Sequence, residues 1–403
     1  MPNVGDGLII EGNGSTLERD PNSTKNFGLV RVLTHELTIR NLTLQNGDAT
    51  NESSGRANGA AVLYTGRDEV VFENVRFLNN RARDGGAFYG SFNSRPVFRG
   101  CLFRENVATR NGGAIAQPRL TGPQFASGAL VVNCVFEGNR AASGGALWIE
   151  RNGVQIAEST FTENIAQLGG AMTFEFSHSL DLANSAVYGN TATQSQYGGI
   201  YSADAGDLRI LNSTISNNFG LEEQRGFQLG KFGRGAMWVE FSTILNASYP
   251  DATFDRAIDF RGSFYRFYNS IIGGCNVSVT DPDDVVSLGN WYLFDNCNGS
   301  ANGEPQLGPL RDNGGRTLTY APLDGSPLID AASPTGFDGV LAGPDLDEYT
   351  SRIDQRRSAR PETESDIGSV ERQAPAGFSA LSLTQRNAVI MLMLRQSGAD
   401  DES

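Results

Sequence analysis

Cys101-Leu102-Phe103-Arg104-Glu105-Asn106-Val107-Ala108, followed by Gly112-Gly113-Ala114-Ile115, is the stretch whose reading decides the fold. In general form it is Asn/Ser-x-x-φ-x-x-Asn-x-Ala, a short gap and Gly-Gly-Ala-φ, where φ is apolar. The pattern recurs from about residue 41 to 272. Clear copies anchor on Phe77, Phe103, Phe136, Phe161 and Val187, and weaker ones on Leu44, Ile215, Ile244 and Ile271. From Phe77 onward the anchors are 26, 33, 25, 26, 28, 29 and 27 residues apart, the long step carrying extra residues around Pro118 to Phe125. A period in this range marks a solenoid. Each unit holds two short β-prone runs, such as Leu130-Val131-Val132 and Ala146-Leu147-Trp148-Ile149, separated by Gly and Asn. Such runs suit short strands rather than helices. The expected fold is all-β: a right-handed parallel β-helix, one coil per repeat, with coils ~4.8 Å apart.

The repeat positions then acquire causes. The apolar anchors stack into an interior column. The Asn at 80, 106, 139, 164, 190 and 218 tolerates left-handed turns, and stacked amides can hydrogen-bond from coil to coil. Ala82, Ala108, Ala141, Ala166 and Ala192 suit a crowded corner. Pairs such as Gly85-Gly86 and Gly144-Gly145 permit a bend that side chains would block. These motifs are scaffold; no phosphate-binding glycine motif in a strand–helix context accompanies the Gly pairs.

Composition bounds the chemistry. The 403 residues include 32 Lys+Arg, 46 Asp+Glu and 48 Gly, for a net charge of -14. That balance argues against nucleic acid as a partner, because phosphate neutralisation needs clustered Lys and Arg. Only two histidines, His35 and His178, are present, which makes a multi-histidine zinc site unexpected, and neither sits in a recognisable motif. No run reaches the ~18 apolar residues of a membrane helix, so no transmembrane segment is expected. Met1 to Ile10 lacks a basic region followed by a long apolar core, so no signal peptide is visible, and the chain opens almost inside a strand, as a truncated product would.

The sequence divides into coils over residues 1–272, an irregular Pro-, Gly- and Asp-rich cap region over 273–378, and a terminal helix, Ser379 to Gln396, with a frayed tail to residue 403. Cys101 and Cys134 occupy the same slot in successive coils, where a buried thiol pair is favoured over a bridge. Cys275 and Cys297 flank a loop of 21 residues that a disulfide would pin. Four Cys without a CxxC argue against a zinc ribbon, and an oxidising, exported setting fits best.

The repeat quoted at the outset resembles the chlamydial polymorphic outer-membrane protein repeats. The C-terminal region resembles the choice-of-anchor Q domain of bacterial secreted β-helix proteins. That second likeness rests on 307–319, on Gly325-Ser326-Pro327-Leu328-Ile329-Asp330-Ala331, on Asp354-Gln355-Arg356, and on Asp366-Ile367-Gly368 with Glu371. The chain departs from it at Ser365, where the family usually has Cys, and at Tyr320, where a His is common. The resemblance implies an extracellular or cell-surface β-helix, and no single activity.

One face carries a sharper expectation. Counting from the second Gly of each pair, position +2 holds Phe88, Ile115, Leu147, Met172, Tyr201 and, from Gly235, Met237, taken as inward. Position +3 then puts Trp148 and Trp238 outward, and position +5 gives an outward column Glu150, Glu175, Asp204, Glu240. Stacked carboxylates raise one another's pKa or recruit a cation, and Ca²⁺ at Glu150, Glu175 and Asp204 fits such an oxygen-rich site. Aromatic rings beside carboxylates also suit sugars, so Trp148, Glu150, Glu175, Asp204, Trp238 and Glu240 are the candidate glycan-binding residues. Glycoside hydrolysis needs two suitably spaced carboxyls, making Glu150, Glu175 and Asp204 the catalytic candidates, with Arg151 and Arg209 as candidate bases for a lyase. The plainer alternative is a solvated acidic strip that blocks sheet-to-sheet association. Three functions follow: a secreted or surface β-helix that binds glycans or surface partners without catalysis, favoured; a polysaccharide hydrolase or lyase; and a structural spacer.

Overall fold

A computed structural model describes residues 7–33, 36–51, 57–66, 68–90, 94–118, 128–177, 179–204, 206–221, 226–245, 257–293, 302–334, 346, 349–361 and 364–372. The chain winds as a parallel β-solenoid with three long sheets. The flank sheet has 11 strands, from Leu8–Glu11 to Val286–Leu288. The base sheet has 11, from Thr16–Glu18 to Trp291–Tyr292. The wall sheet has 10, from Val30–Val32 to Cys275–Val279. Each strand pairs in parallel with its equivalent one coil on. One coil therefore reads wall Leu147–Glu150, flank Val154–Ala157, base Thr160–Thr162, the short Ile165–Ala166, and then wall again at Met172–Glu175.

The anchors stack. Phe77, Phe103, Phe136 and Phe161 lie ring on ring at 4.6, 4.6 and 4.5 Å, within 4° of parallel, and all are fully buried. In-register pairing puts identical side chains one coil spacing apart, which is the separation of stacked rings. Burial of each Phe contributes roughly 1.5–3 kcal/mol. The column continues through Val187, Ile215 and Ile244 to Ile272 rather than the expected Ile271. Ile271 points outward into a second apolar cluster with Leu245, Leu307, Tyr320, Leu328 and Ile367.

Two polar ladders line the corners. After the base sheet, the backbone N–H and side-chain amide of Asn106 both donate to Asn139 Oδ1 (3.0 Å each), and Asn139 repeats this toward Asn164 and Asn164 toward Asn190. Each amide also donates to an anchor carbonyl of the preceding coil, as Asn139 does to Phe103 O (3.0 Å). Between flank and base, Cys134 N–H donates to Ser159 Oγ, Ser159 N–H to Ser185 Oγ, and the pattern continues through Ser213, Ser242 and Ser270. Cys101 and Cys134 head this ladder as free buried thiols, their side chains stacked in register. Next to it, Asn74, Asn133, Asn184, Asn212 and Asn269 turn the corner with φ of 46–55°. The Gly pairs are needed where coils touch: a Cβ on Gly145 would lie 2.1 Å from Gly170 O.

The solenoid runs further than the repeat suggests. Strands Cys275–Val279, Val286–Leu288 and Trp291–Tyr292 build one more coil, so residue 272 is not its end. The period fades there because the last step, Ile272 to Tyr292, takes only 20 residues and drops the Asn-x-Ala and Gly-Gly signals. Cys275 is disulfide-bonded; Cys297, its expected partner, lies outside the described residues. So do His35, His178 and the expected helix 379–396.

The segment read as a cap packs along the corner between flank and base instead of over the final coil. Asn184 Nδ2 donates to Asp354 O (3.0 Å), Asn212 Nδ2 to Thr350 O (3.0 Å) and Asn269 Nδ2 to Ser333 O (3.2 Å). Gln355 Nε2 donates to Ser185 O (3.1 Å) and its Oε1 accepts from Thr214 Oγ1 (2.7 Å). The Asp354-Gln355-Arg356 and Asp366-Ile367-Gly368 motifs are thus attachment points. Arg360, 1% exposed at its side chain, pairs with Glu371 at 3.1 Å, and Arg356 pairs with Asp354 at 2.6 Å. Burial pushes the Glu371 carboxyl up to about 7, aided by Asp366 and opposed by Arg360.

Candidate functional site

The wall sheet presents the outward face that the sequence singled out. Along Leu147–Glu150 and Met172–Glu175, Leu147, Ile149, Met172 and Phe174 enter the core. Alternation turns Trp148, Glu150, Thr173 and Glu175 outward. Glu150 and Glu175 are direct partners in register, so their carboxylates share one face. The Trp148 indole donates a hydrogen bond to Glu175. Partial burial raises the Glu175 pKa, the neighbouring Glu150 charge raises it further, and Trp148 opposes both.

The column stops at these two. Met172 pairs with Ile200, and Glu175 with Ala203, so the outward slot after Glu175 is apolar. Asp204 sits one residue later, exposed, in a left-handed turn at φ 47°. The one-residue offset has a local cause. Gly199 occupies the place that Ala171 and Ala146 hold in earlier coils, since Ala171 N–H donates to Gly199 O as Ala146 N–H donates to Ala171 O. Gly198-Gly199 is therefore a displaced pair, and counting from it shifts every residue by one. Tyr201, expected inside, faces outward beside Thr173.

Trp238 and Glu240 belong elsewhere. Their strand, Met237–Glu240, lies in the flank sheet between Asp207–Leu211 and Tyr265–Tyr268. The true wall strand of that coil is Phe227–Phe232, which lacks the Gly-Gly-Ala signal. Trp238 packs against Arg209 (4.9 Å) and edge-on to Phe264 (5.5 Å), and Glu240 is 4% exposed. Arg209 pairs with Asp181 (3.2 Å) and Asp207 (2.9 Å) on the same flank, away from the wall, and Asp181 is pushed up to about 6 by burial against the pull of Arg209. Arg151 takes the left-handed corner after Glu150 and lies over the Phe176 ring.

Sequence reasoning missed an aromatic shelf on the same wall. Tyr197 contacts Tyr201 (5.3 Å), Phe227 (5.6 Å) and Phe232 (5.3 Å). Its hydroxyl donates to Asp259 Oδ2 (2.9 Å), Asn276 Nδ2 donates to Asp259 Oδ1 (3.0 Å), and Arg261 lies over the Phe232 ring. Burial raises the Tyr201 pKa, and the carboxylates of Glu175 and Asp204 raise it further. The signal was present in Tyr197-Gly198-Gly199-Ile200-Tyr201, but only register shows that both tyrosines and Phe232 converge.

Among the described residues, no three acidic, His or Cys side chains are gathered to hold a metal ion, so Glu150, Glu175 and Asp204 do not form the expected Ca²⁺ site. A concave groove of about 520 Å³ opens at another corner, after the base sheet, lined by Asn79, Glu105, Arg140 and Glu163 among others. None of the wall residues lines it.

Residues 124–277 match the family model described as a right handed beta helix region, and residues 100–117 match the Chlamydia polymorphic membrane protein repeat. Neither match carries the choice-of-anchor Q likeness. Comparison with curated proteins and with solved structures gave no significant match. No helix among the described residues is long and apolar enough to cross a membrane. The repeat points to a bacterial outer-membrane or surface protein. Repeat, register and matches together make the coils of this chain a right-handed parallel β-helix, with a polymorphic-membrane-protein repeat at residues 100–117.

Proposed function

We propose that this surface or secreted β-helix binds glycans along its wall sheet without transforming them. The observation that carries the reading is the strip of aromatic and carboxylate side chains on consecutive wall strands, Glu150, Glu175, Tyr201, Tyr197 and Phe232; Trp148, only 7% exposed, contributes through its hydrogen bond to Glu175. Rings offer flat apolar area to sugar C–H faces, and carboxylates accept from hydroxyls. A rigid ladder presents such groups at fixed spacing, so little ordering entropy is lost on binding. A glycan array probed with the whole chain is the test: binding that falls on Glu150→Gln supports the reading, and a blank array refutes it.

A second reading has its own observation. Glu175, with a raised pKa beside Glu150, resembles the division of roles between a general acid and its partner carboxylate. Turnover would appear as new reducing ends or unsaturated products and would be abolished in Glu175→Gln. An unchanged rate in that variant removes Glu175 from any mechanism.

A further inference from the structure

We propose that Tyr197, Tyr201 and Phe232 form the principal sugar subsite of the wall, and that its ligand is an amino-bearing glycan whose ammonium groups face Glu175. This rests on the glycan-binding reading above and narrows it to a place and a sugar class.

The shelf is built and held. Tyr197 lies across Gly230: a Cβ there would sit 2.5 Å from Tyr197 Cδ1, so any side chain would lift the ring. Its hydroxyl is fixed by Asp259, itself 3% exposed and held by Asn276 from the next coil. Tyr201 lies 5.3 Å from Tyr197 at 39°, and Phe232 lies 5.8 Å from Tyr201 at 40°. All three rings stay partly exposed, whereas Phe227, which stacks on Tyr197, is buried. Partly exposed rings locked by groups from other coils suit a surface built to bind.

Charge selects the sugar. The shelf adjoins Glu175, whose in-register neighbours are Glu150 and Ala203, and Asp204, which follows Ala203, also acts on Tyr201. A uronate would bring its carboxylate against these acids. An ammonium is drawn to them and to the tyrosine ring faces. Thr173, between Trp148 and Tyr201 in register, donates inward to Leu168 O (3.0 Å), and the shelf's cation, Arg261 over Phe232, is paired with Asp259 at 3.7 Å, so the carboxylates next to Tyr201 set the charge on that side.

Calorimetric titration of the full chain tests this with three probes: a glucosamine hexamer, its N-acetylated counterpart and a galacturonate hexamer, in a buffer that keeps the amines protonated. The glucosamine hexamer should bind tightest and lose affinity with added salt. Tyr201→Ala should weaken it at least tenfold, Tyr197→Phe several-fold, and Glu175→Gln should erase the preference over the acetylated probe. Thermal melting checks that each variant is folded, and Glu175→Gln keeps the test open if Tyr201→Ala is not. Tightest binding of the galacturonate, no binding of the glucosamine hexamer, or full affinity in folded Tyr201→Ala overturns this inference. Glycan binding as such falls only if the broad array is also blank.

Discussion

Replacing Asn139 with Ala tests the physical basis of the solenoid at its middle. The side chain is fully buried and makes four hydrogen bonds: its Nδ2 donates to Phe103 O and Asn164 Oδ1, and its Oδ1 accepts from Asn106 N and Nδ2. Alanine leaves the Asn106 N–H without its acceptor and takes one bond each from Asn106 Nδ2, Asn164 Oδ1 and Phe103 O; Asn106 Nδ2 keeps Phe77 O, and Asn164 Oδ1 keeps the residue 139 N–H. One buried unsatisfied group at about 1–3 kcal/mol and three lost bonds at about 0.5–1.5 kcal/mol each bring the sum to about 3 kcal/mol. Asn139→Asp sharpens the logic, because it keeps the shape and the acceptor but cannot donate to Phe103 O or Asn164 Oδ1 while ionised. Arg140→Ala, one residue away and exposed, is the control and should fall within about 0.5 kcal/mol of wild type. Urea unfolding followed by circular dichroism reads the midpoints. An Asn139→Ala midpoint equivalent to less than about 0.5 kcal/mol of loss would refute the claim that the amide ladder, rather than the backbone pairing alone, holds the corner.

Other outcomes follow from the same structure. Phe136→Ala removes a ring stacked on both sides at 4.6 and 4.5 Å and should cost about 3–5 kcal/mol by denaturant unfolding. Cys101 and Cys134 should resist alkylation in the folded protein and react on unfolding, because both are buried and burial lifts the Cys134 pKa well above the thiol range; mass spectrometry after iodoacetamide treatment reads this directly. Glu371 is raised in the folded state to about 7, so the fold holds its proton more tightly than the unfolded chain does. Its contribution is complete below the unfolded carboxyl pKa and is lost as pH rises through about 7. Melting temperature should therefore fall between mildly acid and neutral pH, and Glu371→Gln should reduce that fall; an identical slope in the variant would remove Glu371 as its source.

Much of the solenoid was legible because its determinants are local and repeated. Period, anchor, Asn and Gly pair each report a fixed place in one coil, and stacking in register makes the coil's problem the protein's problem. Phe103, Phe136 and Phe161 could be placed in one pile from spacing alone. Where a single residue was inserted or displaced, the same reasoning slipped by one, because strand alternation turns a one-residue error into the opposite face. That slip put Tyr201 inside, carried Asp204 into the acidic column and chose Ile271 over Ile272.

The sequence by itself determined the winding, the interior column and the amide ladder, since each depends on residues that recur at constant distance along the chain. Tertiary structure alone decided which outward groups become neighbours. Tyr197, Phe232 and Asp259 meet across successive coils whose lengths differ. Trp238 and Glu240, in a motif that looked equivalent, lie in another sheet. The Asp354-Gln355-Arg356 segment returns to Asn184 and Ser185, some 170 residues earlier, through bonds to backbone atoms that any sequence possesses. Contacts of that kind leave no periodic trace, so only the folded chain can show them.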